Sequence, residues 1–128
     1  MDFKVEYIDG IFICTSSGRA GKGDAVRVME AMLSHPEWKP GTPRCYDISD
    51  LDSGSLNVNE MRRIASFASI HRAQLGGGKI AMVASRNLEY GFSRMLSIFV
   101  TQFGESDLEV FRTREEALDW LYAKQPSA

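Results

Sequence analysis

The chain has 128 residues, 44% of them apolar and 25% charged, with a formal charge of -2. That is one ordinary globular domain, able to bury roughly two thirds of its unfolded surface around a single core without a disulfide or metal staple. The balanced charge excludes broad attraction to nucleic acid or to an anionic membrane, and no apolar run approaches the length needed for membrane insertion.

Phe3, Val5 and Tyr7 alternate with polar neighbours, and Asp9-Gly10 is a hairpin turn signal before an antiparallel return strand over Ile11 to Cys14. The acidic second residue and the alternation rule out a signal peptide, so a cytoplasmic location is expected. Ser16 to Gly23 reads as a glycine-rich connector. A first helix follows from Asp24 to about His35, with Ala25, Val26, Val28, Met29, Met32 and Leu33 on one face. Pro36, Trp38, Pro40, Gly41 and Pro43 mark a loop, after which Arg44 to Ile48 is a strand.

Asn57 with Glu60 starts a second helix that is expected to reach about Leu75, where Gly76, Gly77 and Gly78 end it with a left-handed cap. Ile80 to Ala84 is a short strand. Asn87 then opens a third helix with a stripe of Leu88, Phe92, Met95, Leu96, Phe99 and Phe103, stopped at Gly104. Leu108, Val110 and Phe111 form a last strand, and Thr113 with Glu116 is a capping box before Ala117, Trp120 and Leu121. The expected fold class is therefore α/β: a single domain with a mixed five-stranded sheet, an N-terminal hairpin followed by three β-α repeats, and four helices. Residues 1–124 are expected to form the domain and 125–128 a frayed tail.

Nine elements in this order resemble the SpoIIAA-like fold of STAS domains, the anti-sigma-factor antagonist and sulfate-transporter modules. Tyr46-Asp47-Ile48-Ser49-Asp50-Leu51, Lys79-Ile80-Ala81-Met82-Val83, Gly91-Phe92-Ser93-Arg94-Met95 and the segment from Phe111 to Leu121 look like the bacterial family of SpoIIAA-like, or STAS/SEC14 domain-containing, proteins. The resemblance implies a fold and carries no activity with it. Anti-sigma-factor antagonists place an Asp-Ser-Ser-Gly-Leu motif, with one phosphorylated serine, at the start of their second helix. A gapless overlay on Asp47-Ile48-Ser49 puts Ser55 at their aspartate and Leu56 at that serine, so the switch residue is missing. A shifted frame brings Asp52-Ser53-Gly54-Ser55 near the place with serine and glycine interchanged, which leaves Ser53 and Ser55 as the candidate phosphoacceptors.

Chemistry-bearing patterns are sparse. Gly18, Gly21, Lys22 and Gly23 miss the spacing of a phosphate loop, because Ser16 stands at its first glycine and Gly23 follows the lysine. Asp47, Asp50 and Asp52 cluster at the carboxyl end of the third strand, where open α/β sheets bind ligands, and Ser85, Arg86 and Asn87 lie at the corresponding end of the fourth. These six form the candidate ligand or anion site. As an EF-hand loop the aspartates fail, since Gly54 comes a residue early and Met61 occupies the place of the bidentate acid. As a phosphatase Asp-x-Asp they lack the following threonine. Cys14 and Cys45 fall inside strands as structural thiols, and His35 and His71 are isolated. No metal site, cofactor or catalytic residue is expected, and the chain is read as no enzyme.

The second and third helices carry surplus apolar residues. Met61, Ile64, Ala65, Ala68 and Leu75 define the core face of the second, and at 100° per residue Phe67 and Ile70 project away from it. On the third helix Ile98 and Val100 flank the stripe. The favoured reading is a protein-interaction or regulatory module that forms a homodimer through Phe67, Ile70 and Ile98, or docks a regulatory protein partner there. The alternative is a carrier of a small apolar molecule or lipid in a pocket between those helices.

Overall fold

The computed structural model describes residues 1–52, 57–103 and 107–123. Asp9, at φ 50°, and Gly10, at φ 82°, turn β1 (Asp2–Ile8) back on β2 (Ile11–Arg19) as an antiparallel pair. Then come α1 (Asp24–Leu33), β3 (Arg44–Asp52), α2 (Val58–Ile70), a single turn α3 (Arg72–Leu75), β4 (Lys79–Val83), α4 (Asn87–Phe103), β5 (Asp107–Phe111) and α5 (Arg114–Tyr122). The strands lie in sequence order, and β2 to β5 are parallel. The expected mixed five-stranded sheet is what the chain builds.

The helix count differs from expectation. What reads as one helix to Leu75 breaks at His71, whose ring stacks on Phe67 at 4.0 Å and whose Nδ1 lies 3.0 Å from the Phe67 carbonyl oxygen. The His71 amide still donates to the Phe67 carbonyl at 3.0 Å, but His71 itself leaves helical geometry at φ -100° and ψ 22°, and the five described helices include the turn α3 that follows. Gly76 then closes α3 in the left-handed region at φ 70°, as its position in the glycine triplet predicts.

β2 and β3 both run further than their apolar residues indicate. β2 continues through Thr15, Ser16 and Ser17 to Arg19 because ladders on both sides hold it. β3 continues to Asp52 through a bulge: the register passes from Thr15 opposite Asp47 to Ser17 opposite Asp50, so β3 holds one extra residue. That residue decides which side chains point inward, for it leaves both Ile48 and Leu51 in the larger core while Asp47 faces the other side.

The two faces of the sheet are unequal. On one, Phe12, Cys14, Ile80 and Met82 meet Val28, Met29 and Met32 of α1, Met61 and Ile64 of α2, and Leu96 of α4. On the other, Ile11, Ile13, Cys45, Ala81 and Val83 are covered by Ala117 and Leu121 of α5. The Thr113 capping box starts α5 as expected, its hydroxyl accepting from the Glu116 amide at 3.2 Å. α4 follows the expected stripe in part: Leu96 is buried and Phe92 half-buried as expected, whereas Leu88 and Met95 are exposed and Glu89 and Ser93 are buried in their place; the Phe99 and Phe103 side chains lie outside the description. The inward Glu89 carboxylate pairs with Arg86 at 3.3 Å, one turn earlier.

Candidate functional site

The three aspartates of β3 do not come together. Asp47 is buried on the α5 side, where its Oδ2 accepts from Arg114 Nε at 2.8 Å and its Oδ1 from the Ser49 amide at 3.0 Å. Arg114 Nη2 also donates to Thr15 Oγ1 at 2.9 Å, so the ion pair ties α5 to β2 and β3. Asp50 is exposed, and Asp52 lies 3.9 Å from Arg19 at the surface. Among the described residues no group of acids, histidines and cysteines is arranged to hold a metal ion.

Ser85, Arg86 and Asn87 are likewise occupied in holding the fold. Arg112 Nη1 donates to the Ser85 carbonyl at 3.1 Å and to Asn87 Oδ1 at 2.9 Å, with its guanidinium 3.8 Å above the Tyr90 ring. Arg86 donates to the Leu51 carbonyl as well as pairing with Glu89. The expected anion site is thus an ion-paired corner joining β3, β5 and α4. Ser53 and Ser55 lie outside the described residues, as do Gly104 and the tail 125–128.

The glycine-rich connector does contain an anion hole, and the chain fills it. The Gly23 amide at the start of α1 donates to both carboxylate oxygens of Glu60, at 3.3 and 3.1 Å, and Gly21 donates to Asp24 Oδ2. Glu60 is 4% exposed and also pairs with Arg63 at 3.0 Å. A carboxylate set against free helix N–H groups is the arrangement used for phosphate, here satisfied internally.

The thiols are chemically quiet. Cys14 and Cys45 sit on opposite faces of neighbouring strands, and both are free. Burial pushes each thiol from 9.0 up to about 12, with the Cys45 thiol raised further by Asp47. Folding therefore holds two protons that the unfolded chain releases as pH rises past 9, so these groups stabilise the fold below that pH and the contribution is lost between pH 9 and about 12. Urea titrations from pH 8 to 11 are expected to show stability falling with pH, and Cys14→Ala/Cys45→Ala should flatten that slope. An unchanged slope in the double variant would assign it elsewhere. His35 is a local cap, its Nδ1 accepting from the Glu37 amide at 3.1 Å.

Of the expected association surface, Ile70 and Ile98 are 76% and 68% exposed. Phe67 corrects the expectation, since it is half-buried, packed against the core and stacked on His71, with an edge toward a groove between α1 and α2.

A more enclosed and apolar feature lies beneath the helices. A cavity of about 120 Å³ runs between the sheet and α1, α2 and α4. Val28, Met29, Ile48, Ile64, Met82 and Leu96 are typical of its wall. Arg44, Arg72 and Gly77 line it where β3 and β4 begin, and Met1, Ser16, Ala20 and Leu51 where β2 and β3 end. Arg44 is 1% exposed. Its Nη1 donates to the carbonyls of Thr42 at 3.1 Å and Gly77 at 2.9 Å, and its guanidinium lies 5.5 Å from the Trp38 ring centre, while the Tyr46 hydroxyl donates to Met32 Sδ at 3.7 Å. Burial pushes the Tyr46 phenol well above its ordinary range, so it stays neutral. The signal for this wall is the alternation Arg44, Tyr46, Ile48 along one side of β3, which puts a cation in a row otherwise facing the core.

Sheet order, hairpin start and helix placement together describe a known architecture. The crystal structure of an uncharacterized protein of the DUF3478 family with a SpoIIAA-like fold, from Shewanella loihica PV-4, matches with a TM-score of 0.60 over 94% of this chain and 92% of that one, at 19% identity. The fold is SpoIIAA-like. No family model matches the chain, and no curated protein matches it. Among the described residues no helix is long and apolar enough to cross a membrane.

Proposed function

We propose that this chain is a non-catalytic binding module that takes a small apolar molecule into the space between its sheet and its three covering helices. The observation that supports this reading is the cavity of about 120 Å³, walled by aliphatic and thioether side chains where a domain of this size ordinarily packs solid. Apolar cavities near 150 Å³ stay dry and accept benzene-sized guests. The carboxylates and arginines that catalysis would need are engaged in internal pairs: Asp47 with Arg114, Glu60 with Arg63, Glu89 with Arg86. That engagement supports a binding role over a chemical one.

A second reading, self-association or docking of a regulatory protein, is favoured by the exposed apolar residues of α4 and α2. Leu88, Met95 and Ile98 fall on one outward side of α4, and Ile70 ends α2. Native mass spectrometry of protein purified without detergent tests both. The carrier reading expects a discrete adduct that organic extraction removes, and a melting temperature raised by benzene. A bare chain mass together with a melting temperature unmoved by benzene overturns it. In the same spectra, self-association expects a dimer that Ile70→Ser/Ile98→Ser reduces to a monomer; a wild-type monomer overturns that reading.

A further inference from the structure

Building on the cavity reading above, we infer that the ligand is an apolar acid, a molecule whose hydrocarbon part fills the cavity and whose anionic end meets Arg44 and Arg72. The cavity wall is apolar along its length with a short roll of polar groups, Ser16, Arg44, Tyr46 and Arg72. Among the described residues its charged lining side chains are both arginines, Arg44 and Arg72. Both arginines belong to one end, where α3 and the glycine triplet lead into β4 and where β3 begins. The cavity therefore has a hydrocarbon body and a basic end.

A guanidinium cannot shed its proton at any accessible pH, so a fully buried arginine keeps a full charge in low dielectric. Arg44 is held at that position by two carbonyls and a ring face, which fixes the orientation of its planar fork relative to the cavity. Fixed forks select planar carboxylates over hydroxyls, because a charge-assisted contact is roughly twice as strong as a neutral one. The neutral Tyr46 phenol beside it adds a polar group that does not repel an anion. Arg72 is exposed as well as lining the cavity, which puts a second cation where an acid would enter. The pattern discriminates against cations and favours an acid over a neutral molecule of the same body, and it leaves the choice of aliphatic or aromatic body to the apolar wall.

Isothermal titration at neutral pH with two matched pairs, decanoate against decanol and benzoate against benzyl alcohol, decides the matter. The acid of at least one pair is expected to bind about tenfold or more tightly than its alcohol. That preference should be lost in Arg44→Met and reduced about threefold in Arg72→Gln. Circular dichroism shows whether Arg44→Met is folded; where it is not, Arg72→Gln, a surface substitution, carries the decision. The pair that shows the preference names the body as aliphatic or aromatic. Equal binding of acid and alcohol overturns the acidic end and leaves the cavity reading standing. Binding of neither member of either pair removes both. An acid preference that survives unchanged in the folded arginine variants assigns the anion to another part of the surface and overturns the inference.

Discussion

Gly78→Ala is expected to destabilise the protein by about 3 kcal/mol or more, and Gly76→Ala by a similar amount. Two penalties coincide at these positions. The backbone of Gly78 is at φ 93° and that of Gly76 at φ 70°, conformations that a Cβ disfavours. A Cβ on Gly78 would also lie 2.6 Å from the Gly41 carbonyl oxygen, and one on Gly76 would lie 2.5 Å from Pro40 Cβ and 2.6 Å from the Gly41 amide nitrogen. These are backbone and ring atoms that cannot swing aside. The contact they would break is the seam between the loop before β3 and the entry to β4, where the Gly41 amide donates to the Leu75 carbonyl at 2.8 Å and Trp38 Nε1 to that of Gln74 at 2.9 Å. Gly77, in the same seam, is one of the two carbonyls that hold Arg44. Displacing the triplet should therefore loosen the basic end of the cavity as well as the fold. Gly91→Ala is the control: it lies within α4, a Cβ there meets nothing within 4 Å, and its helix propensity should raise stability by about 0.5–1 kcal/mol. Urea unfolding of the three variants measures all of this, and a loss below about 1 kcal/mol for both Gly76→Ala and Gly78→Ala would refute the account of the seam.

The local signals in this sequence were strong and the long-range ones silent, and the division follows chain separation. The N-caps at Asn57 and Thr113 and the glycine cap at Gly76 involve residues a few positions apart, and each is present in the structure. The end of β2 is polar, so no period-2 pattern announces Thr15 to Arg19 as strand; only the ladders to β1 and β3 make it one. The bulge in β3 is a pairing property and leaves no mark on composition. The α4 stripe misled because aromatic residues and methionine outrank a glutamate and a serine in any apolar count, yet Glu89 and Ser93 face the core. Arg114 stands 67 residues from Asp47, and Glu60 37 residues from Gly23, so neither partnership could be read from spacing. The same blindness hid the cavity. Arg44 reads as an ordinary polar start to a strand until α3 and the glycine triplet are placed beside it.

Glu60→Ala is expected to cost about 2–3 kcal/mol, because one buried carboxylate ties two helices together. As the third residue of α2 it accepts nothing from its own cap, whose side-chain oxygen takes the Glu60 amide at 3.1 Å; its carboxylate instead crosses to the Gly23 amide that opens α1. It thereby supplies a negative charge to the positive end of one helix while remaining in the first turn of another, and both placements are favourable. Arg63 one turn on completes its hydrogen bonding. Alanine keeps the Asn57 cap and removes the rest, leaving the buried end of α1 without its acceptor. Glu60→Gln retains shape and one carbonyl acceptor but not the charge, so it should lose about 1 kcal/mol. Hydrogen exchange distinguishes the crossing contact from simple loss of burial: the Gly23 amide should exchange faster in Glu60→Ala, while the Glu60-position amide, still held by Asn57, should not. If stability falls but the Gly23 amide remains as protected as in the parent, the carboxylate acts through Arg63 alone, and the glycine connector owes its shape to Asp24.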